Sequence, residues 1–149
     1  MSPTKGSALL LLAEDDSDDR LLIKDALEEC QWPGELRCVE NGEELLDYLL
    51  RRGVYRGANP PRPGLILLDL NMPRKDGRQA LHEIKADPVL RRIPVVILTT
   101  SKADADIDTS YDLGANSFIP KPVRFDDLVD VIRQLGQYWF STVQLPAIK

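Results

Sequence analysis

Five short apolar runs, at residues 8–13, 36–39, 65–68, 94–99 and 117–121, are separated by segments of helical period. Runs of four to six residues fit buried strands and are too short for packed helices. Residues 65–68 are apolar at four consecutive positions, so both faces are covered, as in a central parallel strand. After the first run Ser17 offers a helix N-cap, and Asp18 and Asp19 suit the positive helix end. Leu22, Ile23, Ala26, Leu27 and Cys30 then fall on one arc of that helix. Asn41-Gly42 turns the chain into a second helix through Leu45, Leu46, Leu49 and Leu50. Residues 53–64 (GVYRGANPPRPG) form a Gly/Pro-rich exposed loop, long for its place. Further helices are predicted over 77–86, over 103–113 with Gly114 as the stop, and from Phe125 past Phe140.

Strands alternating with helices imply right-handed βαβ crossovers and a parallel sheet. Pro120 lacks an N–H and belongs on an edge strand. The flavodoxin-like order 2-1-3-4-5 meets both conditions, giving an α/β, doubly wound (βα)5 fold with a five-stranded sheet. It makes 65–68 central, with its carboxyl end at the switch point where ligands bind in such sheets.

A chain of 149 residues is one domain and buries roughly 70% of its unfolded surface without staples. Its 43% apolar and 29% charged residues are ordinary for a globular domain. A net charge of -5 argues against a nucleic-acid partner. Cys30 and Cys38 lack metal-ligand spacing and are expected as free thiols in a reducing compartment. The six-residue apolar run near the start is too short for a signal peptide or membrane span. The expectation is a cytoplasmic protein without a membrane partner.

The chemistry gathers at strand ends. The first strand is followed by Glu14-Asp15-Asp16, the third by Asp69, and the fifth ends at Lys121, while Thr99 closes the fourth. Carboxylates converging on one spot repel one another unless a cation joins them. Hard oxygen donors with room for water suit Mg²⁺. A carboxylate beside a divalent ion, a lysine and a threonine has what phosphoryl transfer requires.

These residues carry a resemblance. Glu14-Asp15, LDLNMPRKDG around Asp69, PVVILTT, GAN before the fifth strand and Lys121-Pro122 together resemble a receiver domain of a two-component response regulator, over residues 8–137. The resemblance implies that Asp69 accepts a phosphoryl group from a histidine kinase. It implies that Asp15 binds Mg²⁺ directly, Glu14 through water and Asn71 through its backbone carbonyl. Thr99 would bond the phosphoryl oxygen and swing inward on activation, and Lys121 would pair with the phosphoryl group. Phe118 holds the aromatic switch position, Asn71 and Ser101 lie where the phosphate's lifetime is tuned, and the bond before Pro122 is expected to be cis.

Residues 138–149 extend this domain. Leu128, Ile132, Leu135, Trp139 and Val143 make one helical stripe, widened by Val131 and Tyr138 on one side and by Val129 and Phe140 on the other. The arc is about twice the roughly 100° needed to face one core. A partner surface at Val131, Tyr138, Trp139 and Phe140, used in a two-fold homodimer, is expected. The tail and SYDLGAN resemble stand-alone receivers paired with phytochrome histidine kinases, which implies such a kinase as partner and an unnamed downstream protein. Leu21 lies off the core arc beside the acidic pocket, where it could dock the kinase, and His82 reads as a surface residue. Two alternatives stay open: a haloacid-dehalogenase-like Mg²⁺ phosphatase, disfavoured because Asn71 stands where a second Asp is needed, and a pseudo-receiver scaffold. Dinucleotide binding lacks its glycine fingerprint.

Overall fold

A computed structural model describes residues 9–101 and 103–146; Ala8, the expected first residue of the domain, lies outside them, as do residues 147–149 of the expected extension. Strands β1 (Leu10–Ala13), β2 (Leu36–Val39), β3 (Leu65–Leu68), β4 (Val95–Thr99) and β5 (Ser117–Pro120) form one parallel sheet in the order β2-β1-β3-β4-β5. The flavodoxin-like α/β fold is as expected. Helices α1 (Ser17–Glu29), α2 (Gly42–Leu50), α3 (Gly77–Ala86), α4 (Asp104–Asp112) and α5 (Phe125–Gln137) alternate with the strands.

Side-chain alternation along the strands builds two apolar layers. Leu11, Ile66, Leu68 and Ile97 meet Leu45, Leu49, Leu81 and Ile84 from α2 and α3. Leu10, Leu12, Leu65, Leu67, Val96 and Leu98 meet Ile23, Leu27, Leu128 and Ile132 from α1 and α5. With both faces covered, the only polar outlet for a central strand is its end.

Helix caps set where that end begins. Asp16, not Ser17, caps α1: its backbone is extended and its carboxylate accepts from the N–H groups of Asp18 at 2.8 Å and Asp19 at 3.2 Å. A full negative charge there answers the helix dipole better than a hydroxyl. Asn41 caps α2 as its sequence suggests, accepting from Glu44 N–H at 2.8 Å. Gly114, at a φ of +104°, takes the left-handed position that follows α4.

The C-terminal segment differs from the expected unbroken helix. α5 stops at Gln137 and a widened π-turn runs over Tyr138–Thr142, closed by Val143 N–H donating to Tyr138 O at 2.9 Å. The wider turn brings Trp139 and Phe140 against the α1/α5 layer. Phe140 stands edge-on to Trp32, with ring centroids 5.2 Å apart.

β5 lies at one edge. Lys121 N–H donates to Thr99 O at 2.7 Å, so strand alternation turns the Phe118 and Pro120 nitrogens outward. Phe118 N–H donates to the Tyr111 hydroxyl at 3.2 Å, and Pro120 has no N–H.

Candidate functional site

Three elements deliver the acidic pocket. Backbone bonds from Glu14 N to Val39 O (3.0 Å) and from Asp69 N to Ala13 O (3.1 Å) fix the ends of β1 and β3 side by side. Glu14, Asp15 and Asp69 each place a carboxylate oxygen within 4.8 Å of the others. Glu14 and Asp69 are buried, whereas Asp15 is exposed. Behind Asp69, Gly77 opens α3 with its N–H on Leu70 O at 2.9 Å.

Lys121 reaches in from the end of β5. Its ammonium bonds Glu14, lies 2.9 Å from Asp19 Oδ2 and stands 3.6 Å from Asp69 Oδ2. Lys121 therefore faces Asp69 but is bonded chiefly to other acids. Burial works to lower its pKa, yet the hydrogen bonds to Glu14 and Asp19 prevail and hold it above the usual lysine range. Burial pushes the Glu14 carboxyl up to about 7, against the opposing pull of its Lys121 hydrogen bond.

A pH dependence follows. Glu14 binds its proton more tightly when folded than its ordinary value of 4.5 implies, so its contribution to stability is greatest at low pH. That contribution is lost as pH rises from 4.5 to about 7 in the metal-free protein. Melting temperatures between pH 5 and 8 should fall less steeply with pH in Glu14→Gln than in the parent. Identical slopes would remove Glu14 as the cause.

Thr99 is fully buried at the end of β4, and its hydroxyl oxygen accepts from Ser101 N–H at 3.5 Å, a long contact. Asn71 is exposed, and its N–H donates to Asp69 Oδ1 at 3.4 Å. Ser101 points its hydroxyl toward α4, at 2.5 Å from Asp106 Oδ2. Phe118 is half-buried against the α2/α3 layer. The bond before Pro122 is trans, since no peptide bond among the described residues is cis. The trans form is intrinsically favoured by about 0.5–1 kcal/mol, and from it Lys121 already reaches Glu14 and Asp19.

Away from the pocket, Val131, Trp139 and Phe140 are half-buried on the chain's own α1/α5 layer. Of the four residues expected to form a partner surface, Tyr138 is the one that stands clearly out, 51% exposed. Leu21 is 56% exposed on α1, and Leu22, Val123 and Phe125 are also exposed. His82 is exposed on α3, and both cysteines are free. No helix among the described residues is long and apolar enough to cross a membrane.

Sequence reasoning missed Asp19, which it treated only as a helix-dipole residue. Its place in the first turn of α1, directly after the acidic run that follows β1, was the available signal. Arg20 was also missed; its guanidinium donates to Glu14 O at 2.8 Å and steadies the end of β1.

Comparisons with known proteins agree with this geometry. Response regulator Rcp1 of Synechocystis sp. (strain ATCC 27184 / PCC 6803 / Kazusa) is 42% identical over 139 residues, 93% of each chain. The crystal structure of Rcp1 in its Mn(2+)-bound form has a TM-score of 0.84, covering 93% of this chain and 99% of that one. The phosphorylated cyanobacterial phytochrome response regulator RcpA is 45% identical, with a TM-score of 0.87 over 94% of this chain and 99% of its own. RPA3017, a response regulator in red light signaling of R. palustris, is 36% identical, with a TM-score of 0.85 over 93% and 97% of the two chains. Residues 10–133 match the response regulator receiver domain, and with such relatives alike along nearly its whole length, this chain belongs to that family.

Proposed function

We propose that this receiver accepts a phosphoryl group on Asp69 from a histidine kinase, with Mg²⁺, and signals through protein contacts. The observation that carries the reading is the buried Asp69 carboxylate, grouped with Glu14 and Asp15 and faced at 3.6 Å by the Lys121 ammonium. Three clustered acids, two of them buried and one of these, Glu14, hard to ionise, fit a hard divalent cation. Glu14, Asp15, Asp69 and the Asn71 carbonyl would hold it. When bound, Mg²⁺ supplies positive charge against the phosphoryl oxygens.

Asp69 attacks the phosphorus of the kinase's phosphohistidine. The Asp69 O–P bond forms, the P–N bond breaks, and its electron pair stays on the imidazole nitrogen. Lys121 neutralises charge on the transferring group, and the Thr99 hydroxyl turns in to bond the acyl phosphate. The new group adds up to about two negative charges, enough to bias a two-state loop. Phe118 follows Thr99, while Asn71 and Ser101 set how fast water removes the phosphate.

The phytochrome response regulator among the relatives supports a phytochrome as the kinase. The exposure of Leu21 on α1 supports it as a docking contact for that kinase. The outer rims of Val131, Trp139 and Phe140, together with Tyr138, form the face for a homodimer or a downstream protein. A cytoplasmic location goes with this reading, and the free cysteines suit it.

One set of samples tests the acceptor, the docking contact and the dimer face. The protein is incubated with a phytochrome kinase, Mg²⁺ and ATP, and its intact mass is followed. The parent should gain one phosphoryl group, Asp69→Asn none, and Leu21→Ala should gain it more slowly at unchanged stability. An adduct that survives Asp69→Asn would overturn the phosphoacceptor assignment. A sizing column with light scattering on the same samples should show a dimer that Tyr138→Ala weakens.

A further inference from the structure

Arg78 stands outside the pocket and has no part in the reading above, yet it ends a continuous chain of contacts that reaches Thr99. Its guanidinium NH2 donates to Asp106 Oδ1 at 2.7 Å. The other oxygen of that carboxylate accepts from the Ser101 hydroxyl at 2.5 Å. Ser101 N–H in turn faces the Thr99 hydroxyl oxygen at 3.5 Å. The Asp106 carboxyl is held below the usual carboxylate range by these same two partners, Ser101 first and Arg78 second.

The ends of this chain give it meaning. Arg78 is the second residue of α3, directly after Gly77, which is packed against the Asp69 backbone. Ser101 and Asp106 belong to the loop after β4 and the first turn of α4. The contacts therefore bridge the carboxyl ends of β3 and β4, the gap the Thr99 hydroxyl must cross to reach a phosphoryl group on Asp69. With the bridge closed, Ser101 is anchored and the Thr99 hydroxyl is turned toward its own loop. Asp106 is secured from behind as well, since its carbonyl accepts from the buried Ser110 hydroxyl at 2.7 Å.

We propose that Arg78, acting through Asp106 and Ser101, is a positioning residue that latches the Thr99 loop in its resting arrangement and so opposes phosphoryl binding at Asp69. The proposal rests on Asp69 being the phosphoacceptor. A contact made only in the resting state is subtracted from the affinity for any ligand of the other state. Arg78 and Asp106 are partly exposed, so the latch is a small bias rather than a lock.

The test is the affinity of the full chain for beryllofluoride, a phosphoryl mimic, in Mg²⁺, read by fluorine NMR or calorimetry. Arg78→Ala should bind about two- to fivefold more tightly than the parent, the range of a partly exposed ion pair. Arg78→Lys, which keeps the charge, should stay near the parent, and Ser101→Ala combined with Arg78→Ala should add nothing further. A parent that binds while Arg78→Ala binds equally or more weakly overturns the latch alone. A parent that does not bind, or an Asp69→Asn variant that binds as well as the parent, overturns the phosphoacceptor reading and the latch with it.

Discussion

Replacing Lys121 with alanine is expected to slow phosphotransfer to Asp69 by about 100- to 1,000-fold, the usual consequence of removing one preorganised donor aimed at developing charge. The half-buried ammonium is the cation that meets Asp69, Glu14 and Asp19 together. The hydrogen bonds to Glu14 and Asp19 hold its pKa above the usual lysine range against the lowering effect of burial, so it carries its charge at neutral pH. The same substitution leaves buried Glu14 without its counter-charge. Divalent-cation binding should therefore tighten while the metal-free protein becomes less stable, more so at pH 8 than at pH 5. A mass time course gives the transfer rate, and a Mg²⁺ titration followed by thermal melting gives the linkage. Transfer at the parental rate would remove Lys121 from the transition state.

Gly77→Ala should damage stability and chemistry together. A β-carbon there would lie 2.2 Å from the Asp69 carbonyl oxygen and 2.8 Å from Leu70 Cα. Both are backbone atoms, so the segment carrying Asp69 must move. Overpacking of this kind costs about 1–3 kcal/mol. On the proposed chemistry, displacing the Asp69 carboxylate by about 1 Å costs a further 100-fold in rate. Gly136→Ala is the control, because the atoms nearest its β-carbon belong to the Trp32 ring, the first at 2.9 Å. A ring can swing aside and the Asp69 backbone is not involved, so that variant should keep phosphotransfer. Equal rates in all three proteins would show that α3 does not position Asp69.

Much of this was legible because local pattern and global fold agree. Residues 65–68 read as a central strand because four apolar residues in a row have no other home. A charge at the end of such a strand marks the site. Pro120 foretold its edge position through the one thing it lacks, a backbone N–H. What escaped prediction depends on choices between near-equal partners. Ser17 and Asp16 can both cap α1, and only the backbone geometry decides between them. The turn after Gln137 widens because Trp32, more than 100 residues earlier, offers Phe140 a ring to pack on. Lys121 has several acids within reach, and the Arg78–Asp106 pair joins residues 28 apart through a loop whose shape no local rule sets.

The β5 edge has a consequence for whatever reads this protein. With Pro120 carrying no N–H and that of Phe118 taken by Tyr111, an incoming chain finds no main-chain donor to zip onto along that strand. Only outward carbonyls remain for main-chain contact, so most of the recognition there falls to side chains. Main-chain pairing accepts almost any sequence, whereas side-chain contacts can be rewritten one residue at a time. An edge without free donors thus trades a promiscuous handle for an addressable one.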